Sequence, residues 1–214
     1  DFCLSRGLGD VYKRQRLDKL RRQLESVAAV FDDFEERLRA FVGEAPLAAY
    51  AVTESDAERF LTWLRRRGGL TAEQHDHIAC QRARHAVETK AAADRRGYLF
   101  FHELWSAASA LAADLGVNPT LRIHLNPTRV RTRFRTGALL DEGVQPPAEV
   151  VFFAHGGEVS AAVPARLGRR VLRELAHRSP TTLDHWLAGG TRIGRDKLIG
   201  CCKDLAETGL VAFS

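Results

Sequence analysis

The sequence predicts a mainly α-helical protein with a small β component, in which an N-terminal helical bundle precedes a winged-helix-like α+β module. Apolar residues recur at helical spacing through the first half of the chain. The spacing becomes strand-like after Asn118-Pro119 and helical again after Pro164. We therefore expect a non-native leader at residues 1–15, a helical bundle at 16–117 and the winged-helix-like module at 118–214.

The expected leader, DFCLSRGLGDVYKRQ, reads like a translated sequencing adapter. The chain contains no methionine, which agrees with a reading frame that is cut at its start. We interpret residues 1–15 as adapter-derived and leave them out of the fold prediction. This interpretation leaves room for native protein upstream.

The composition is that of a globular protein, with 45% hydrophobic and 28% charged residues among 214. No apolar run approaches the roughly 20 residues that a membrane helix needs. The net charge of +5 is compatible with an anionic partner. The cysteines, Cys3, Cys80, Cys201 and Cys202, form no C-x-x-C motif, and no secretory signal is visible, so we expect a reducing, cytoplasmic location.

The helical half begins with apolar residues spaced alternately by three and four, a heptad pattern. It fits either a coiled coil or the first helix of a packed bundle, and we favour the bundle because other helices follow closely. Ser55–Glu58 and Thr71–Gln74 each have the form of a helix capping box. The heptad positions are Leu17, Leu20, Leu24, Val27, Phe31, Phe34, Leu38 and Phe41.

The second half opens with two predicted strands, LRIHL (121–125) and TRVRTRFR (128–135). EVVFFAHGGEVSAAV follows as a predicted hairpin, because Gly156-Gly157 suits a type I′ turn. Three helices are then expected, after Pro164, after Ser179-Pro180 and from about Arg195 to Thr208. The final LVAF is expected to return as a short strand.

The strand TRVRTRFR places an arginine at every second position, so its arginines share one face. The face is either a solvated sheet surface or a binding site for an anionic partner, and we favour the partner because the guanidinium fork fits carboxylate or phosphate. Arg122 and His124 are expected to extend this face, and the strand residues Val150, Val151, Phe152 and Phe153 to offer an edge for a peptide. The arginines are Arg129, Arg131, Arg133 and Arg135.

Other candidate sites are weaker. The cluster His75, Asp76, His77 and Cys80 is interpreted as a polar helix face rather than a metal site, because His75 and His77 diverge on a helix. No phosphate-binding loop or nucleophile motif is present. We expect no catalytic centre, metal or cofactor within this sequence. DNA binding through the last long helix remains an alternative, which three acidic residues on its expected exposed face disfavour; these are Asp196, Asp204 and Glu207.

The stretches VVFFAHGGEVSAAVP, RRVLRELAHRSPTTLDHWL and KLIGCCKDLAETGLV resemble the peptide-recognition winged helix of peptide-maturation systems, to which the pyrroloquinoline-quinone (PQQ) biosynthesis chaperone belongs. The resemblance implies a module without catalytic residues, to which a leader peptide adds as a strand. With the helical half and the strands LRIHL and TRVRTRF, the chain resembles partner proteins of multinuclear non-haem-iron peptide-modifying enzymes. A role in RiPP biosynthesis is then implied, in which the protein presents an acidic precursor peptide to a larger iron enzyme.

A second resemblance competes with the first. Cupin-type (JmjC-like) 2-oxoglutarate oxygenases end in a helical region and a winged helix, often with text similar to NPTRVRTRF before the hairpin. By this resemblance the chain is the dimerisation and tail portion of an oxygenase, with its iron-binding barrel upstream. Both resemblances are compatible with a homo-oligomer.

Overall fold

The computed structural model describes residues 2–45 and 54–214, with side chains at 11–45, 54–107 and 110–214. The side chain of Cys3 and part of the expected leader therefore lie outside the described residues. The fold is mainly α-helical with a small β component, as predicted. The helices are α1 (Phe2–Gln23), α2 (Glu25–Ala28), α3 (Phe34–Glu44), α4 (Asp56–Arg67), α5 (Ala72–Ala93), α6 (Arg95–Ala112), α7 (Arg166–Leu175), α8 (Leu183–Ala188) and α9 (Arg195–Glu207), with a 3₁₀ turn at Ala113–Gly116.

The strands form two three-stranded sheets. One has the order β5-β1-β6 and the other the order β2-β3-β4. Within the described ranges, no helix is both long enough and apolar enough to cross a membrane. The strands are β1 (Arg122–Leu125), β2 (Val130–Phe134), β3 (Ala148–His155), β4 (Glu158–Ala162), β5 (Thr181–Thr182) and β6 (Val211–Phe213).

The heptad segment is not one helix. The chain leaves α1 after Gln23, forms the short α2 and turns before α3 begins at Phe34. Nevertheless, every heptad position from Leu20 to Phe41 is buried, because α1 and α3 pack against each other and present their apolar residues to one core. A regular apolar spacing is satisfied by two helices that share a core as well as by one long helix.

The helix starts follow the predicted caps. The hydroxyl of Thr71 accepts a hydrogen bond from the Gln74 amide at 3.1 Å, and the Gln74 side chain accepts one from the Thr71 amide at 3.0 Å. The capping box that starts α5 is therefore confirmed in both directions. The Ser55 hydroxyl accepts from the Glu58 amide at 3.2 Å and caps α4.

The chain divides into two compact units, residues 1–82 with 134–147 and residues 83–133 with 148–214. The first unit contains α1 to α4, whose shared core includes the edge-to-face pair Phe41–Phe60, with ring centroids 5.2 Å apart. Arg16 is buried there against Asp56 and lies over the Phe41 ring, 5.0 Å from its centroid. This unit is held by apolar packing and one buried ion pair.

The second unit packs α7, α8 and α9 around the strands, with Trp186 at the centre of its core. Helix α6 packs against β6 and α9, and the Trp105 indole donates to the Ala206 carbonyl at 2.8 Å. Helix α6, which the sequence assigned to the helical bundle at 16–117, thus belongs to the same compact unit as the C-terminal strands. The compact units therefore divide the chain elsewhere than at residues 117 and 118.

The hairpin β3–β4 forms as predicted, with positive φ at both turn residues, 58° at Gly156 and 86° at Gly157. It joins β2 in one sheet, whereas β1 is the central strand of the other sheet. The expected strands LRIHL and TRVRTRF therefore lie in different sheets. The winged-helix assignment stays a prediction.

Candidate functional site: a cationic groove beside strand β2

Strand β2 exposes its arginines as the alternation predicts. Arg131 and Arg133 are exposed, Arg129 is half-buried just before the strand, and Thr132 between the exposed pair is half-buried. Among the described residues, no carboxylate forms an ion pair with these three arginines. Three guanidinium groups of one unit are therefore available to an anion.

A groove of about 560 Å³ opens beside the first part of β2. It combines cationic side chains from α5 and β2 with apolar side chains. Its lining residues are Lys90, Pro127, Arg129, Val130, Arg131, Val151, Leu172 and Ala176. All of them belong to the second unit.

The cations of the groove are close enough to disfavour one another's charge. Desolvation and the neighbouring Arg129 hold the pKa of Lys90 below its ordinary value of 10.5. Desolvation and Arg131 likewise lower the pKa of Arg129, although a guanidinium stays charged at neutral pH. A bound anion would relieve this repulsion, so the groove is electrostatically suited to a negatively charged ligand.

Backbone carbonyls fix the positions of two of these cations. The Lys90 ammonium donates to the Arg129 carbonyl at 2.8 Å, and the Arg129 guanidinium donates to the Asn126 carbonyl at 2.9 Å. Neither bond neutralises a charge. The cations are therefore oriented while their charge remains available.

Asn126 is the buried hub that places the start of β2. Its amide nitrogen donates to the carbonyls of Ala154 and Gly209, both at 3.1 Å. Its side-chain oxygen accepts from the amide and the hydroxyl of Thr128, and that hydroxyl also accepts from the Ala154 amide at 2.8 Å. The sequence indicated only a strand break at Asn126-Pro127; the hydrogen-bonding role depends on partners up to 83 residues away.

Arg135 is an exposed residue of the other unit. Buried Asp76 accepts from the backbone amides of Arg135 at 2.9 Å and Thr136 at 2.7 Å, and also from the Thr136 hydroxyl at 2.7 Å. Asp76 thus anchors the segment that follows β2.

Arg122 does not continue the face of β2, because β1 lies in the sheet β5-β1-β6. Its side chain is exposed beside His124, whose pKa is lowered by desolvation and by Arg122. The expected extension of the arginine face through Arg122 and His124 is therefore corrected. Residues 126–128 separate the two strands and lead them into different sheets.

The residues Val150, Val151, Phe152 and Phe153 do not form a sheet edge. They are buried in β3, which lies between β2 and β4. This corrects the expectation of a peptide edge at β3: the sheet ends at β2 and β4 instead. Val151 lies behind the surface of the groove as a fully buried residue.

Carboxylates are present on α9 and on β3, but within the described residues none of them forms an ion pair with the groove cations. On α9, Asp196, Asp204 and Glu207 are exposed, as the sequence predicted. Glu149 shares the Val151 face of β3 by strand alternation, and its Oε1 is buried without a hydrogen-bond partner among the described residues. The exposed face of α9 is therefore mixed in charge, with Arg195 and Lys197 beside its acidic residues, whereas the exposed charges of β2 are all positive.

The candidate metal ligands His77, Cys201 and Cys202 do not line the groove. His77 Nδ1 lies 2.8 Å from the Ser26 carbonyl. Cys201 and Cys202 are buried in α9, and burial raises the pKa of the Cys201 thiol to about 11. In the part of the chain that the structure describes, no group of three His, Cys, Asp or Glu side chains is arranged to hold a metal.

Comparison with known proteins gives no family assignment. No protein-family model matches the sequence, and no curated protein matches it significantly.

Proposed function

We propose that this protein is a peptide-binding protein, which holds the acidic segment of a peptide against the groove and the exposed arginines of β2. The observation that carries the proposal is the set of uncompensated cations Lys90, Arg129, Arg131 and Arg133 in one unit. Two exposed arginines two residues apart on a strand are roughly 7 Å apart, the repeat of alternate side chains in an extended peptide. An acidic peptide that runs along β2 therefore meets successive cations.

Duplex DNA is a less suitable anion. The exposed acidic residues of α9 would repel phosphates, and a helix that enters the major groove needs cations beside it. The cations of β2 lie on a sheet, with an apolar wall beside them. This combination suits a peptide better than a phosphate backbone.

The wider role that we propose follows the first sequence resemblance. The bound peptide is a precursor, and the protein presents it to a separate iron-dependent modifying enzyme. The tail of a truncated oxygenase remains the alternative from the second resemblance. Only the peptide-binding step is carried by the geometry of the groove.

The proposal is tested by replacing Arg131 and Arg133 with serine and measuring binding of a fluorescent acidic peptide by anisotropy. We expect affinity at low salt to fall between about threefold and thirtyfold, because each exposed ion pair contributes up to about 1 kcal/mol. The matched control is Arg166→Ser with Arg192→Ser, which removes the same charge from exposed sites of the same unit outside the groove.

Equal losses in both double variants would mean that only net charge attracts the peptide, and the proposed site would be wrong. Tighter binding of an equally long DNA duplex, with a steeper dependence on salt, would identify nucleic acid and not a peptide as the ligand.

A further inference from the structure

The groove contains two kinds of surface, and the arginine strand accounts for only one of them. Cationic groups from Lys90, Arg129 and Arg131 line one part, and the exposed apolar surface comes from Pro127, Val130 and Ala176, since Val151 and Leu172 are almost fully buried. A ligand that used only its charge would leave the apolar wall unoccupied. The lining of the groove therefore indicates that the ligand has an apolar part as well as a negative charge.

We propose that the groove selects a peptide in which an acidic residue and a large apolar residue lie close together in one extended segment. The inference rests on the proposed function, and it names the sequence class that the same site recognises. The acidic side chain binds the groove cations, and the apolar side chain packs on Pro127, Val130 and Ala176. Peptides with acidic residues alone are then weaker ligands.

The size of the groove supports a ligand larger than a single carboxylate. Its volume of about 560 Å³ lies within the roughly 300–1,000 Å³ of typical ligand sites. Such sites combine apolar walls with a few polar groups that fix orientation. Here the fixed groups are Lys90 and Arg129, each held by a backbone carbonyl.

The charges support an acidic group in this position. Lys90 and Arg129 have lowered pKa values, because each is partly desolvated beside another cation. Glu149, on the same face of β3 as Val151, makes no ion pair with them within the described residues. We therefore expect the ligand to supply the negative charge that pairs with these cations.

The strand geometry supports a peptide rather than a small molecule. Arg133 continues the line of cations beyond the groove, one side-chain repeat after Arg131. In an extended peptide, residues i and i+2 point to the same side and are also one repeat apart. An extended peptide whose acidic side chain binds in the groove can therefore continue along β2 toward Arg133.

The test uses the peptide segment Glu-Ser-Leu and its two single replacements, Glu-Ser-Ser and Gln-Ser-Leu, in the same background without other charged residues. We expect replacement of the leucine to weaken binding to the wild-type protein about tenfold, as loss of an apolar contact in a pocket does. Replacement of the single glutamate should weaken binding by a similar factor. Octanoate, a free apolar carboxylate, serves as the competitor.

The matching protein variant is Ala176→Glu, which adds a carboxylate at an exposed residue of the groove. It should remove the preference for leucine, since the new side chain covers the apolar wall and pairs with the cations. Ala110→Glu, at an exposed site on α6, is the control and should retain the preference.

Equal binding of the leucine and serine peptides, with the arginine dependence intact, would overturn the selectivity and leave the proposed function standing. Displacement by octanoate at the concentration where the peptide itself competes would identify a small amphiphilic anion as the ligand and also overturn it. If none of the acidic peptides bound the wild-type protein, both the selectivity and the proposed function would fail.

Discussion

Two Asn-Pro-Thr triplets show how one residue type acts differently in two surroundings. In both, the asparagine oxygen accepts from the amide and the hydroxyl of the threonine two residues later, at Asn118 and at Asn126. Asn118 is exposed, whereas Asn126 is fully buried and its amide nitrogen also donates to two distant carbonyls. The same triplet is thus a local turn before β1 and a tertiary anchor before β2.

Replacement of Asn126 by aspartate should destabilise the second unit by about 2–4 kcal/mol. The new carboxylate would face the carbonyls of Ala154 and Gly209 in a buried site, without a donor between them. The measurement is urea unfolding followed by tryptophan fluorescence in a Trp63→Phe background, so that Trp105 and Trp186 report on this unit. The control, Asn118→Asp, should cost less than about 0.5 kcal/mol.

Equal stability of the two aspartate variants would show that Asn126 does not form the hub.

Cys201 and Cys202 should resist alkylation in the folded protein. Burial and Asp204 raise the pKa of Cys201 to about 11, and burial also raises the pKa of Cys202. Both thiols therefore remain protonated at pH 7.5, and the thiolate is the reactive form. Mass spectrometry after iodoacetamide treatment should find both unmodified in native protein and modified in urea. Rapid native labelling of either cysteine would contradict their place in the core.

Lys90 should make peptide binding sensitive to alkaline pH. Its pKa lies below 10.5 in the free protein, and a bound acidic group raises it again, so binding favours the protonated lysine. Affinity should be highest below the lowered pKa and should fall as pH rises through it. Anisotropy titrations between about pH 7 and pH 10 should show this decline in the wild type and not in Lys90→Met. The same decline in both proteins would exclude Lys90 as its source.

At the scale of elements, the sheet β2-β3-β4 has a different distribution of charge on its two outer strands. β2 bears arginines, whereas β4 bears small uncharged residues after Glu158. In a hairpin with a two-residue turn, the amides of Glu158, Ser160 and Ala162 hydrogen-bond to β3. The amides of Val159 and Ala161 therefore point away from β3. β4 is therefore the uncharged edge of this sheet.

Amide hydrogen exchange measured by NMR should distinguish the central strand from this edge. We expect slow exchange at Phe153 and Ser160, whose amides pair within the hairpin, and fast exchange at Val159 and Ala161. Slow exchange at Val159 and Ala161 would mean that another strand covers β4 in solution.

Local patterns were sufficient to predict several elements. Alternation predicted the exposed arginines of β2, the glycine pair predicted the hairpin turn, and Thr71 and Gln74 predicted the start of α5. Each of these depends on residues close in sequence. These elements can therefore be predicted from the sequence without knowledge of tertiary contacts.

The errors concern contacts between distant residues. Nothing in the sequence near Val151 indicates that β2 pairs with β3, so the sequence predicts an edge where the structure has a central strand. Lys90 enters the groove from α5, 39 residues before Arg129, without any motif that marks it. The turn before α3 was missed because the apolar spacing remains regular across it.

At the scale of the whole molecule, the net charge of +5 is modest, and its location matters more than its size. Carboxylates pair with arginines elsewhere, as in Arg16–Asp56, Arg170–Glu174 and Arg195–Asp184. Within the described chain, the cations of the groove lack such partners. Among the described residues, exposed arginines such as Arg166 and Arg192 also form no ion pair, so the groove is distinguished by several cations that line one concave site.

The most direct test of that location is an NMR titration of protein labelled with ¹⁵N at arginine and lysine with the acidic Glu-Ser-Leu peptide. We expect the largest changes at the backbone amides and side-chain Nε–H groups of Arg129, Arg131 and Arg133. Changes confined to Arg195 and Lys197 on α9, with β2 unchanged, would contradict the central claim that the groove beside β2 is the binding site.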